Sequence, residues 1–148
     1  MSKILNFLVL CILILIVSSC SNKNEDTHYD LKKDSISFVE CTKAIEKEIG
    51  YDYSPITIDS KEDITNLLLD LHEMVTDYDE IDGPHPKYNF KFTNDEGDII
   101  IIGINKENNK GIVFLNITKD SGEKISLVSD YREEYYETIS QIYDLIEN

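Results

Sequence analysis

The sequence KYNFKFTNDEGDIIIIGINKENNKGIVFLNITKDSGEKISLVS, residues 87–129, decides the fold of this chain. Its first part alternates, because Tyr88, Phe90 and Phe92 fall on one side of an extended chain and polar residues fall on the other. Three further apolar runs follow, each after a short polar segment that contains a glycine. Connections of this kind join antiparallel neighbours. The stretch therefore predicts a meander of four strands, at 87–93, 99–104, 112–118 and 124–129.

Amphipathic helices are predicted on both sides of this meander. The first starts after Asp59, where Ser60 and Asp63 form a capping-box pattern, and the second closes the chain behind a cap of Asp130 and Glu133. Each carries one apolar stripe at helical spacing. The stripes are Ile64, Leu67, Leu68, Leu71, Met74 and Val75 in the first helix, and Tyr135, Ile139, Ile142 and Ile146 in the second.

The residues before the first helix give a weaker pattern. Segment 36–44 fits both an alternating strand and one helical face, and its β-branched and aromatic start favours a strand. Residues 50–54 are predicted as a loop, with Pro55 starting a short strand at 56–58. The expected fold class is α+β, an antiparallel β-meander sheet of about four to five strands packed with two amphipathic helices.

The N-terminus has the pattern of a secretion signal. A single cation, Lys3, precedes an apolar run at 4–17 that only Asn6 interrupts. A helix that crosses a bilayer core of about 30 Å needs roughly 20 apolar residues, so this run is short for a membrane span. Its length and flanks are those of a signal-peptide core.

The tetrapeptide Val17-Ser18-Ser19-Cys20 resembles the lipobox of bacterial lipoproteins, and the whole chain is similar to small lipoproteins of Gram-positive bacteria. The resemblance implies that residues 1–19 are removed and that Cys20 carries a diacylglyceryl group and an acylated amine. Two acyl chains anchor a protein stably. The alternatives are an uncleaved signal anchor and an ordinary signal peptide cut near Ser19, with Cys20 unmodified.

This interpretation sets the domain organisation and the location. Residues 1–19 are the signal, 20–34 a flexible polar tether in which Tyr29 and Leu31 are the apolar exceptions, and 35–148 a single globular domain. The domain is expected on the extracytoplasmic face of the cell membrane, attached to membrane lipid through Cys20.

The charge of the chain limits its partners. The precursor carries 29 acidic against 14 basic residues, a net charge of −15. Such a body repels nucleic acid and anionic membrane surfaces. Two interpretations stay open, a solvated surface that keeps the domain soluble and attraction of a cationic partner such as a basic peptide, a basic protein or divalent ions.

The remaining chemistry-bearing residues form no catalytic, cofactor or metal signature. Cys41 is expected to be a small buried hydrophobe, the less favoured alternative being a nucleophile. The histidines His28, His72 and His85 are scattered, and His72 is expected to be partly buried packing.

Segment 77–83 has the alternating acids of a calcium loop, but Ile81 and Asp82 stand where an EF-hand needs a ligand and a glycine. A solvated acidic loop is therefore favoured, with weak, irregular calcium binding as the alternative.

Four tyrosines cluster in or beside the last helix, and they are expected to cap the sheet with their hydroxyls in water. The alternative is an aromatic patch that binds a partner. The tyrosines are Tyr131, Tyr135, Tyr136 and Tyr143.

Anchoring, acidity and the lack of a catalytic set together predict a non-enzymatic binding module, in its sharper form an inhibitor or self-protection lipoprotein that captures a basic peptide or protein. The alternative is an envelope enzyme that uses loop carboxylates such as Asp77, Asp79 and Glu80.

Overall fold

The computed structural model describes residues 29–79 and 85–148. Within them, six strands form one antiparallel sheet in the order β2-β1-β3-β4-β5-β6. The α+β class is confirmed, with six strands in place of about four to five. The strands are β1 (Ile36–Glu46), β2 (Tyr51–Ile56), β3 (Tyr88–Asn94), β4 (Ile99–Glu107), β5 (Lys110–Thr118) and β6 (Lys124–Val128), and the helices are α1 (Lys61–Met74) and α2 (Glu133–Glu147).

The core lies between one face of the sheet and the two helices. Tyr88, Phe90 and Phe92 of β3 are completely buried there, so the alternation in the sequence marks the helix-facing side. Gly111 lets α2 approach this face, because a Cβ at that position would lie 2.5 Å from Ile139 Cδ1. The apolar stripes of both helices pack on the same core, except that Met74 is 36% exposed at the end of α1.

The helices cross the sheet at opposite ends. α1 lies at the end that carries the β3–β4 turn, because His72 contacts Tyr29, whose hydroxyl binds Asp98. α2 lies at the other end, where Glu147 contacts Tyr88. We call these the near end and the far end of the sheet.

Segment 36–44 is a strand, as favoured, but the prediction for the residues after it is wrong. The predicted loop at 50–54 and the strand at 56–58 are replaced by β2, which contains Pro55. Pro55 is opposite Thr42 and has no strand on its other side, so its missing N–H is tolerated at the sheet edge.

The predicted helix caps are also wrong in detail. Ser60 is the N-cap of α1, but its side chain makes no capping hydrogen bond. Arg132, in place of Asp130, is the N-cap of α2, again without a side-chain bond. The helices begin within a residue or so of their predicted starts because the apolar stripes, and not the caps, determine where they pack.

The end of the predicted tether belongs to the packed domain. The signal, Cys20 and residues 20–28 lie outside the described residues, whereas segment 29–34 lies against the core. Leu31 is 8% exposed there, and a single 3-10 turn follows at Lys33–Ser35. The predicted boundary at 34/35 is therefore too late. In the described ranges, no helix is long and apolar enough to span a membrane.

Candidate functional site

Cys41 lies in the core, which confirms the prediction of a buried hydrophobe. Its side chain is 1% exposed, and burial raises the pKa of the thiol to about 12. The thiol is therefore protonated near neutral pH, and a protonated thiol is a poor nucleophile.

The acidic segment 77–83 is described only as far as Asp79. Tyr78 turns inward and is 5% exposed, while Asp77 and Asp79 on either side of it are exposed. Glu80, the third carboxylate of the enzyme alternative, and the possible calcium ligands beyond it lie outside the described residues. No three His, Cys, Asp or Glu side chains are gathered for a metal in the ranges 29–79 and 85–148.

His72 is more deeply buried than the sequence suggests, at 2% exposed. Its Nε2 lies 2.6 Å from the carbonyl oxygen of Tyr29 and its Nδ1 lies 2.9 Å from the hydroxyl of Tyr78. Because a carbonyl only accepts, Nε2 carries a proton and donates it to Tyr29, while Nδ1 shares a hydrogen bond with the Tyr78 hydroxyl. His72 thus ties α1 to segments on both sides of it. His85 is exposed, with its ring centroid 4.9 Å from that of Tyr51.

The tyrosines of the last helix do not all keep their hydroxyls in water. Tyr135 and Tyr143 are buried, and the Tyr143 hydroxyl itself is inaccessible to solvent. That prediction is wrong for Tyr143. Tyr131 and Tyr136 are half-buried.

Two clefts open beside segment 29–35, which we call the strap. The first, of about 310 Å³, lies between the strap and the β3–β4 turn. The second, of about 420 Å³, lies between the strap and α1. We call them the strand-side cleft and the helix-side cleft. Asp30, Leu31 and Lys32 line both, so the strap forms their common wall.

Hydrogen bonds from two directions hold the strap in place. The Tyr29 hydroxyl donates to Asp98 Oδ2 at 2.9 Å, and the Tyr29 carbonyl accepts from His72. Burial, followed by the hydrogen bond to Asp98, raises the pKa of Tyr29 to about 12. The Tyr29 phenol is therefore neutral and available as a donor at any ordinary pH.

Asp98 is the acceptor that organises the near end of the sheet. Its Oδ1 accepts the backbone N–H of Asp120 at 3.0 Å, and its Oδ2 accepts the Asn94 amide at 3.1 Å as well as Tyr29. The Asp120 N–H lowers the pKa of this carboxyl below 3.8, and Asn94 and Tyr29 lower it further. The charged carboxylate thus joins the strap to two turns of the sheet.

The clefts combine an acidic rim with an apolar floor. Leu31, Leu69 and Ile100 are buried and form parts of the floor. Lys32 pairs with Asp30 at 3.6 Å and Lys33 with Glu62 at 3.5 Å, both in exposed positions where an ion pair contributes little. Two lysines and six carboxylates line the rims, the latter being Asp30, Asp34, Asp70, Glu73, Asp95 and Glu96.

This arrangement suits a side chain with an apolar stem and a cationic head, which lysine and arginine have. The sequence pattern missed the clefts, because their carboxylates come from three distant parts of the chain. Tyr29 and Leu31, apolar exceptions in an otherwise polar stretch, were the available signal that the strap packs on the domain.

Comparison with protein-family models found no match for this chain, and comparisons with curated proteins and with solved structures also found none.

Proposed function

We propose that this chain is a lipid-anchored binding module on the outer side of the cell membrane, and that its two clefts take cationic side chains of a basic peptide or protein. The observation that carries the proposal is the acidic rim over an apolar floor on both sides of the strap. A lysine or arginine would bury its methylenes on the floor and place its charge among carboxylates that have few cationic neighbours.

The place of the clefts supports a partner that acts near the bilayer. Fully extended, the residues between Cys20 and Tyr29 reach at most about 30 Å. Cationic peptides collect at anionic membrane surfaces. A module held this close would intercept such a peptide before it reaches the lipid, which is the self-protection role in its most concrete form.

Titration calorimetry with decalysine as the probe tests the proposal on the full chain, purified in a nonionic detergent. Two double variants remove cleft charge, Asp95→Asn with Glu96→Gln, and Asp70→Asn with Glu73→Gln. We expect each to weaken binding about tenfold, or about 1.4 kcal/mol, because two exposed charge contacts are lost.

The matched control is Glu134→Gln with Glu137→Gln, which removes the same charge from exposed positions on α2. We expect it to change the affinity less than about twofold, because screening weakens charges more than a Debye length away. If all three double variants lost the same affinity for decalysine, the clefts would not be the site. The same would follow if the unaltered chain bound decaglutamate as tightly as decalysine.

A further inference from the structure

Three lysines converge at the far end of the sheet, beneath the last turns of α2. Nζ of Lys43, in β1, lies 5.6 Å from the ring centroid of Tyr88, and Nζ of Lys106, in β4, lies 4.6 Å from the ring centroid of Tyr143. Lys87, just before β3, lies over both rings, at 5.7 and 4.9 Å. We call these three lysines and two tyrosines the lysine socket.

The socket holds more positive charge than the ion pairs among the described residues neutralise. The chain has 29 acids for 14 bases, yet neither Lys43 nor Lys106 forms an ion pair with a residue in the described ranges. Lys106 Nζ instead lies 3.0 Å from Ser140 Oγ. Aromatic rings thus lie close to these two ammonium groups, and no carboxylate of the described residues lies within ion-pair distance of either.

A single carboxylate, that of Glu147, occupies the socket. Its Oε1 accepts the Tyr88 hydroxyl at 2.6 Å and lies 3.8 Å from Lys87 Nζ. The hydrogen bond from Tyr88 lowers the pKa of Glu147, and all three lysines lower it further. The side chain is nevertheless 48% exposed and belongs to the last turn of a helix, where fraying is inexpensive.

The hydroxyl of Tyr143 is buried and makes no hydrogen bond of good geometry with the described residues. The backbone N–H of Lys106 donates to Asn105 Oδ1 at 2.8 Å and also acts on the Tyr143 oxygen, which opposes the rise that burial causes in the pKa of Tyr143. Buried polar groups without a partner are rare and call for an explanation, such as a missing ligand or water. Tyr143 packs edge-on against Tyr88, with ring centroids 4.9 Å apart, so its ring forms one wall of the socket.

We propose that the lysine socket is a carboxylate-binding site, in which Glu147 is the internal ligand and a small dicarboxylic acid from solution takes its place. A dicarboxylate matches the surplus of ammonium groups better than the single carboxylate of Glu147 does. Displacement requires only that the end of α2 frays, and each new contact is a charge-assisted hydrogen bond. The site is separate from the clefts and does not depend on the function proposed for them.

Succinate is the probe, titrated at constant ionic strength into the full chain while the ring signals of Tyr88 and Tyr143 are followed by NMR. In Glu147→Gln the internal charge is gone, and we expect saturable shifts at these rings with at least about tenfold tighter binding than in the unaltered chain. Lys43→Gln with Lys106→Gln is expected to abolish the shifts. Lys110→Gln with Lys124→Gln, the matched loss of two exposed lysines, is expected to leave them in place.

The proposal is overturned if Glu147→Gln shows no saturable shift at the two rings, or if it binds succinate no more tightly than the unaltered chain. The proposal is also overturned if the two lysine double variants lose the succinate-induced shifts to the same extent, because binding would then follow the net charge of the chain. Circular dichroism establishes that each variant is folded, and the Glu147→Gln result decides the matter even if the socket double variant does not fold. Because this probe is anionic, its outcome is independent of the decalysine titration.

Discussion

At the scale of single residues, Tyr29 and Asp98 decide where the strap lies. Tyr29 uses its hydroxyl to reach Asp98 and its carbonyl to reach His72, so one residue is fixed by the sheet and by α1 together. Asp98 in turn holds the backbone of Asp120 and the amide of Asn94. We therefore expect loss of these contacts to change the shape of both clefts.

The pH dependence of stability tests the role of Asp98. Its folded-state pKa lies below 3.8, so its contribution is complete well above that value and is lost as the pH falls through the folded-state pKa. We expect Asp98→Asn to lower the melting temperature near neutral pH, and the gap from the unaltered chain to shrink below about pH 4.

Thermal unfolding followed by circular dichroism across this pH range measures the gap. Asp95→Asn is the control, since this residue of the same turn is exposed whereas Asp98 is buried. If the difference in melting temperature between Asp98→Asn and the unaltered chain stayed constant with pH, the role given to the charge of Asp98 would be contradicted.

At the scale of elements, the sequence predicted the strands and helices whose apolar residues recur at a regular spacing. The four meander strands and both helices have regular apolar spacing, and each appears close to its expected place. β2 was missed because Tyr51, Asp52 and Ser54 look like a loop, and only pairing with β1 makes them a strand. The clefts could not be predicted, because no local pattern connects Asp30, Asp70 and Asp95.

The β4–β5 hairpin offers a test of an element that the sequence placed only roughly, within a turn at 105–111. Its loop is Asn108 and Asn109, with φ angles of 51° and 59°, the left-handed pair of a type I′ turn. We expect Asn109→Gly to raise the free energy of unfolding by up to about 1 kcal/mol, and Asn109→Ala to lower it by about 1 kcal/mol, because alanine is strained at positive φ.

Urea unfolding of the two Asn109 variants measures this difference directly. They differ only in a Cβ at an exposed loop position, so packing contributes little. If the alanine variant were as stable as the glycine variant, the type I′ conformation would not be a determinant of this hairpin.

At the scale of the whole molecule, the two ends of the sheet differ in charge and in contents. The near end carries the strap and the acidic clefts, and the far end carries the lysine socket. Under the proposed anchoring, the near end is the one tied to the lipid, because Tyr29, the first described residue after Cys20, lies there. The net charge of −15 does not by itself reveal that the acidic clefts and the lysine socket lie at opposite ends of the sheet.

The proposed anchoring through Cys20 is tested by feeding producing cells labelled palmitate. We expect label on the unaltered chain and none on Cys20→Ala. An unmodified Cys20 in the mass spectrum of the unaltered protein would contradict the lipoprotein interpretation.

Hydrogen–deuterium exchange of the full chain, with and without decalysine, tests the central claim most directly, because it locates the bound cation. We expect slower exchange at backbone amides of the strap, of residues 66–73 in α1 and of the 94–98 turn, with the lysine socket unchanged. Protection spread evenly over the surface, or absent from the strap, would contradict the account.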